Sequence, residues 1–225
     1  MLADDDDRRF DLIADLVRTN PNAAAEAGGR LLPDADPEAR RLGADLLGQV
    51  ASVHCARVPS IVPLLLGRLP SEAESSVLDA LIVALGHAGD PSAQDAVLAF
   101  ADHPDPTVRF AVAFSLPRLG LDEAGLEALR RLSSALDDGI RDWVTFALAE
   151  SDDSDEKTVE ALAARRDDLH FDTRAGGIYG LARRRDRRAR GFIERELAQP
   201  SWGSLAERAR DELDAPRRED DREDG

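Results

Sequence analysis

Three twelve-residue segments of this chain, residues 105–116, 137–148 and 170–181, align without a gap. Each carries an arginine at the same place, Arg109, Arg141 and Arg174, so the steps are 32 and 33 residues. One step earlier, Val77 to Leu85 fits the apolar positions but has Leu78 where the arginine would stand. Before that, Asp36-Pro37-Glu38-Ala39-Arg40 followed by Leu47 restores both the acid and the arginine, and a weaker last copy runs over 205–213. A period of this size is the mark of stacked supersecondary units, none of which can bury its apolar face alone.

Within the copies the apolar residues recur at helical spacing. Val108, Ala111, Val112, Leu116 and Leu119 share one face, as do Ile140, Val144, Ala147 and Leu148, and near the start Leu12, Ile13, Leu16 and Val17. No convincing stretch alternates polar with apolar as a half-buried strand would. Breaks such as Asn20-Pro21, Gly89-Asp90-Pro91, His103-Pro104-Asp105-Pro106 and Asp137-Asp138-Gly139 separate segments of about 10–16 residues, the length of ordinary helices. Second helices are predicted at about 57–69, 92–102, 122–136, 156–166 and 187–198. The expected fold is all-α, roughly five to six helix pairs in a single α-solenoid over residues 8–213.

The repeat acids and arginines have a structural role available. Asp36, Asp105 and Asp137 precede helices whose first N–H groups need acceptors. Arg40, Arg109, Arg141 and Arg174, in the first turn, can pair with an acid of their own or a neighbouring repeat. Ala80, Ala84, Ala111, Ala147, Gly176 and Gly180 recur where helices would approach closely. Because Gly costs about 1 kcal/mol relative to Ala inside a helix, Gly176, Gly177 and Gly180 together imply tight packing or local looseness.

Charge narrows the function. The net charge is −16, from 45 acids and 29 basic residues. Asp4–Asp7 and residues 214–225 carry −7 of it, leaving −9 on residues 8–213. Residues 1–7 and 214–225 are expected to be disordered acidic tails. An acidic chain is a poor candidate for the phosphate backbone, whose binding relies on cations displacing counterions. The arginine run 183–190, interrupted by Asp186, is the strongest basic patch and is expected to be a solvated turn, with contacts to the acidic C-terminus as a further possibility. At 43 % hydrophobic residues the chain can bury a core. Cys55 is the lone cysteine, which excludes an internal disulfide and a multi-cysteine zinc site, and it is expected to be a small buried hydrophobe. No apolar run approaches the roughly 20 residues of a membrane span. Four aspartates straight after Met1-Leu2-Ala3 are the wrong charge for the leading region of a signal peptide, so the expected location is the cytoplasm.

Catalytic and metal motifs are missing. His54, His87, His103 and His170 form no His-Glu-x-x-His pair. No Gly-x-Gly-x-x-Gly, phosphate loop or Gly-x-Ser-x-Gly is present. The acid pairs Asp152-Asp153 and Asp167-Asp168 lack the alternation of a calcium loop. No cofactor and no metal are expected.

The pattern Asp-x-x-Val-Arg-x-x-Ala-x-x-x-Leu, followed by a turn such as Gly89-Asp90-Pro91 and a second helix, resembles HEAT repeats. It looks most like the short bacterial HEAT-like repeats named after phycobilisome lyases. Residues 140–148, with Arg141, Trp143, Phe146 and Leu148, extend the match, as do 172–175, 180–186 and 194–197; the resemblance covers roughly residues 36–213. It implies a right-handed solenoid in which the arginine-opened helices line a concave face. Relatives of this class include lyase-type proteins and immunity proteins against Rhs-type toxins, and no residue here carries a chromophore site across. DNA-alkylation-repeat glycosylases are also curved helical repeats, but they need a positive groove.

Spacing supplies the columns of that face. One residue after the arginine position come Arg41, Asp79, Phe110, Asp142 and Ala175. Five after it come Asp45, Val83, Phe114, Phe146 and Tyr179. The second column holds three of the chain's ten aromatics in consecutive repeats. These aromatics either form a strip, flanked by Phe110, Arg118, Asp142 and Glu150, that receives a protein partner, or they plug the space between helix layers; the columns alone leave both open. Trp143, aligned with Ala111 and Gly176, is expected in the core. The expected function is a non-enzymatic scaffold that binds a protein or peptide with a basic surface on the concave face. Toxin immunity is one version of that mode, nucleic-acid or glycosylase-like binding a second class, and a lyase or chromophore chaperone a third. The oligomeric state stays open.

Overall fold

A computed structural model describes residues 2–198 and 203–215. Thirteen α-helices follow one another in it: α1 (Leu2–Thr19), α2 (Pro21–Leu31), α3 (Pro37–Val53), α4 (Val58–Arg68), α5 (Ser75–Ala88), α6 (Gln94–Leu98), α7 (Pro106–Leu119), α8 (Glu123–Leu132), α9 (Asp138–Glu150), α10 (Glu156–Arg165), α11 (Phe171–Arg183), α12 (Arg190–Leu197) and α13 (Gly203–Asp214). No strand occurs among the described residues. The fold is an all-α solenoid of helix pairs. The chain divides into two compact units, Met1–Ala128 and Leu129–Gly225. The backbone of residues 2–7, expected as a disordered tail, continues α1, and Asp214 closes α13. Residues 216–225 of the expected acidic tail lie outside the described residues.

The repeat acids start the helices. Asp36, Asp105 and Asp137 sit in extended backbone and accept from the otherwise free N–H groups of Glu38 (3.2 Å), Thr107 (2.9 Å) and Ile140 (2.9 Å). The copy at 170–181 has His170 at this place, and its Nδ1 takes the same role for Thr173 N–H.

The arginines tie each helix to the loop ahead of it. Arg40 donates to the carbonyls of Asp34 and Ala35, Arg109 to those of His103 and Pro104, Arg141 to those of Ala135 and Leu136, and Arg174 to that of Asp168. Two of them also reach a carboxylate one repeat on. Arg40 holds Glu72 with Nε at 2.8 Å and Nη2 at 3.0 Å, and Arg141 holds Asp168 at 3.1 and 3.2 Å. Burial alone would raise the Glu72 carboxyl, but hydrogen bonds from Arg40, Arg68 and the N–H groups of Glu74 and Ala73 hold it far below the usual carboxylate range. Leu78, where the pattern loses its arginine, is instead buried core.

In unit 1, α3 packs on α5 and α5 on α7, with α2, α4 and α6 along α3, α5 and α7. Leu47, Leu81, Leu85, Val108, Val112 and Leu116 are enclosed there, each worth about 1.5–3 kcal/mol of burial. In unit 2, α9 packs on α11 and α11 on α13, with α10 against α9 and α11 and α12 against α13. Small residues set these approaches. A methyl added at Gly48 would stand 2.9 Å from Ala84 Cα, and one at Gly180 would stand 2.9 Å from Ala149 Cβ. The glycines of α11 therefore mark tight packing.

Two further expectations change. Cys55 is exposed, because its residue falls in the 3-10 turn Cys55–Arg57 after α3 has ended. The arginine run is solvated only in part: Arg187, Arg188 and Arg190 are exposed, whereas Arg183 and Arg184 fold back onto the chain. Arg184 is half-buried and donates to the carbonyls of Leu148 (2.8 Å), Ser151 (3.0 Å) and Asp153 (2.8 Å) at and just past the end of α9, and to that of Gly180 (3.0 Å) in its own helix. Arg183 donates to Ala149 O, Arg188 binds Asp186 and Glu160, and Arg190 binds Asp214 (2.6 Å).

Candidate functional site

The two columns beside the arginine ladder form the candidate face, because residues one turn apart there point away from the core stripe. In unit 1 it is built by three helices. Helix α3 supplies Arg41, Asp45 and Gln49; α5 supplies Asp79, Val83 and His87; α7 supplies Phe110, Phe114 and Arg118.

Phe110 and Phe114 are half-buried. The Phe114 ring meets His87 edge-on at 5.5 Å, and the Arg118 guanidinium lies 3.7 Å from its centroid and donates to the Phe114 carbonyl. Burial, then the Arg118 charge, pushes the His87 imidazolium below its ordinary pKa, so His87 is neutral at neutral pH.

At the other end of this face a cavity of about 210 Å³ opens between α3 and α5 beneath α1. Arg41, Asp45, Asp79 and His87 line it, with Phe10 and Ile13 from α1. Asp45 is taken by an ion pair with Arg9. Asp79 is half-buried and, among the described residues, makes no side-chain hydrogen bond or ion pair. Burial pushes its carboxyl up to about 6, with Asp45 and Asp105 reinforcing the shift and Arg41 opposing it through charge alone. A larger cleft, about 470 Å³, runs along α1 between Leu12, Leu16, Leu42 and Leu46, and only Arg9 and Glu38 give it polar groups.

Unit 2 presents the same columns on α9 and α11. Phe146 is 52 % exposed, and its ring stands 6.3 Å from Trp143, which is half-buried at the side of the core rather than inside it. Asp142, one turn away, is half-buried without an ion pair or side-chain hydrogen bond among the described residues. Burial raises its carboxyl, Asp172 adds to that, and His170 opposes it. Glu150 is exposed near Arg183 (3.7 Å) and Arg208 (3.9 Å).

Tyr179 departs from the expected strip: it is 4 % exposed. Helix α13 covers it, with Arg208 4.8 Å from the ring centroid and donating to the Tyr179 hydroxyl at 2.8 Å. The next repeat thus closes over the last aromatic of the column. Asp142 and Phe146 remain as the open part of this face in unit 2.

Spacing puts Arg41, Asp45 and Asp79 in the columns but by itself gives no ground for choosing them as site residues. The available signal was charge at positions where other repeats have Phe, Tyr or Ala. Arg9, Phe10 and Ile13 had none, since α1 stands outside the repeat pattern. Among the described residues, no three His, Cys, Asp or Glu side chains converge as a metal site requires, and no helix is long and apolar enough to cross a membrane.

Residues 62–151 match the family of HEAT repeats. No curated protein matches the sequence. Among solved structures, the chain is similar to the Escherichia coli protein YibA, at 19 % identity and TM-score 0.72 over 92 % of this chain and 81 % of that one. It is similar to an engineered protein, at 20 % identity and TM-score 0.65 over 85 % and 95 % of the two chains. A designed armadillo repeat protein in complex with the peptide (KR)4 is similar at 14 % identity and TM-score 0.62, over 83 % and 98 %. At these identities the likeness is one of fold.

Proposed function

We propose, from the premise that the chain is a HEAT-repeat protein, that it is a non-enzymatic scaffold for a protein or peptide partner with a basic surface. The column-bearing face of α3, α5 and α7 in unit 1 receives such a partner, and α9 in unit 2 offers a second face of the same kind. One observation carries the reading. Asp79 and Asp142 occupy the same repeat position, one in each unit, and both are half-buried carboxylates that no cation of the described chain pairs. Burial without a counter-charge is costly, and a partner's cation relieves that cost.

The remaining features agree with it. Phe146 offers an exposed aromatic beside Asp142, the kind of anchor that dominates protein interfaces. The net charge of −16 steers basic partners at long range. The neighbour whose fold resembles this one binds a (KR)4 peptide. The arginines that would serve a nucleic acid, Arg183, Arg184 and Arg188, are engaged with carbonyls and carboxylates of their own unit.

The test is direct binding of defined probes to the full chain, followed by fluorescence anisotropy. An alternating Lys-Arg octapeptide binds with an affinity that falls as salt rises, while an alternating Glu-Ser octapeptide and a DNA duplex do not bind. Duplex binding tighter than the basic peptide, or no binding of that peptide at all, overturns the proposal.

A further inference from the structure

The cavity between α3 and α5 is too small for the about 300–1,000 Å³ of a usual small-molecule site, and its walls differ from its polar groups in a definite way. We infer that it takes a single arginine or lysine side chain of the protein partner, with the cationic head against Asp79 and the aliphatic stem along Phe10, Ile13 and Val83. This rests on the partner-binding reading above and narrows it to one subsite.

The walls suit the stem. Long basic side chains lay their methylenes on apolar surface and keep the charged head on a polar group. Phe10, Ile13 and Val83 provide that surface, and Phe10, 54 % exposed, also presents a ring to a passing cation.

The charge selects the head. Asp45 already has Arg9 as its partner, and Arg41 lines the cavity without an ion pair to Asp79. Asp105, ahead of α7, adds a third carboxylate in range of Asp79, and it is itself held low by hydrogen bonds from Ser75 and Thr107. Of the cavity's own ionisable lining, two carboxylates, Asp45 and Asp79, face one guanidinium, Arg41, and a neutral His87, and a monocation balances them. An anion would meet Asp45 and Asp79. An apolar plug would bury the Asp79 carboxylate further without a partner.

A consequence is linkage to protons. Free Asp79 titrates near 6, because of burial and then its acidic neighbours. A cation seated against it lowers that value, so binding expels a proton between about pH 5 and 7 and tightens across the same range. The other charged groups facing Asp79 are Arg9 and Arg41, Asp45, which pairs with Arg9, Asp105, whose carboxyl hydrogen bonds hold low, and His87, which burial depresses.

The experiment titrates the full chain with the alternating Lys-Arg octapeptide at about pH 5 and about pH 7.5, for the native chain, Asp79→Asn and Phe10→Ala, with melting curves to verify folding. The Asp79 carboxyl carbon is followed by NMR with and without peptide. The native chain binds several-fold tighter at the higher pH. Asp79→Asn weakens binding about tenfold there and abolishes the pH dependence; Phe10→Ala weakens it about threefold. The Asp79 titration midpoint falls when peptide is added. Equal binding by Asp79→Asn and the native chain, or an Asp79 midpoint that peptide does not move, overturns the subsite and leaves the wider reading standing. Failure of the native chain to bind the peptide overturns both.

Discussion

Phe146 and Tyr179 hold the same place in consecutive repeats, yet one lies 52 % exposed and the other 4 %. Their place in the repeat does not separate them. The difference is that α13 and its Arg208 lie over Tyr179. The acids show the same lesson. In unit 1, Asp79 stands in a cavity roofed by α1, whereas in unit 2 Asp142 stands beside an open aromatic. A repeat position sets where a side chain projects, and its neighbours decide whether it meets solvent, a wall or a hole.

Alanine substitution breaks the aromatic comparison most sharply. Tyr179→Ala is expected to cost about 3–5 kcal/mol, as truncation of an enclosed aromatic does, while Phe146→Ala costs under about 1 kcal/mol. Chemical denaturation checks both, and equal losses would show the column to be uniform core.

The arginine ladder provides the next comparison. Arg40→Ala strands the enclosed Glu72 carboxylate with Arg68 alone and is expected to cost about 2–4 kcal/mol. Arg109→Ala, which removes bonds to the His103 and Pro104 carbonyls, is expected to cost about 1 kcal/mol. The Glu72 contribution is present above its unfolded pKa and is lost as pH falls through its depressed folded value, so Arg40→Ala flattens the acid limb of the stability curve.

Asp79→Asn moves stability the other way. The unfolded chain releases this proton near pH 4 and the folded chain near 6, so native stability declines as pH rises between them and the loss is complete above that window. The variant is therefore expected to be more stable than the native chain by about 2 kcal/mol at pH 8 and equal to it at pH 3. Asp142→Asn should shift stability with the same sign and by less. Thermal melts at the two pH values separate these cases, and a loss at pH 8 would mean that Asp79 has a cation partner in the free chain.

The smallest stability effect belongs to the open face. Phe146→Ala should leave the melting temperature within about 2 °C of the native chain and weaken capture of the basic octapeptide about threefold. Unchanged binding would leave unit 2 outside the interface and sharpen the contrast with the unit 1 cavity.

Much of the fold was legible because its causes are local. An aspartate before a helix, an arginine in the first turn and an apolar stripe every third or fourth residue act within a few residues of one another. They predict helices close to α7, α9 and α11 as observed. The candidate site was legible only in part. Spacing placed Asp79, Asp142, Phe114 and Phe146 in their columns, but exposure is a property of what packs above them. Trp143 was expected in the core from its alignment with Ala111 and Gly176, and it is half-buried because a large indole does not fit where those small residues do. The arginine run read as solvated because no sequence rule reveals that Arg184 reaches back about thirty residues to the end of α9.

The sequence by itself therefore determined the all-helical repeat, its caps and its ladder arginines, since hydrogen bonds and periodic burial within one repeat depend on neighbours in the chain. The tertiary structure alone decided that Tyr179 is closed, that Phe146 is open, and that Asp79 stands unpaired in a cavity under α1. Those outcomes depend on helices far apart in sequence, and on solvent exclusion, which no single repeat contains.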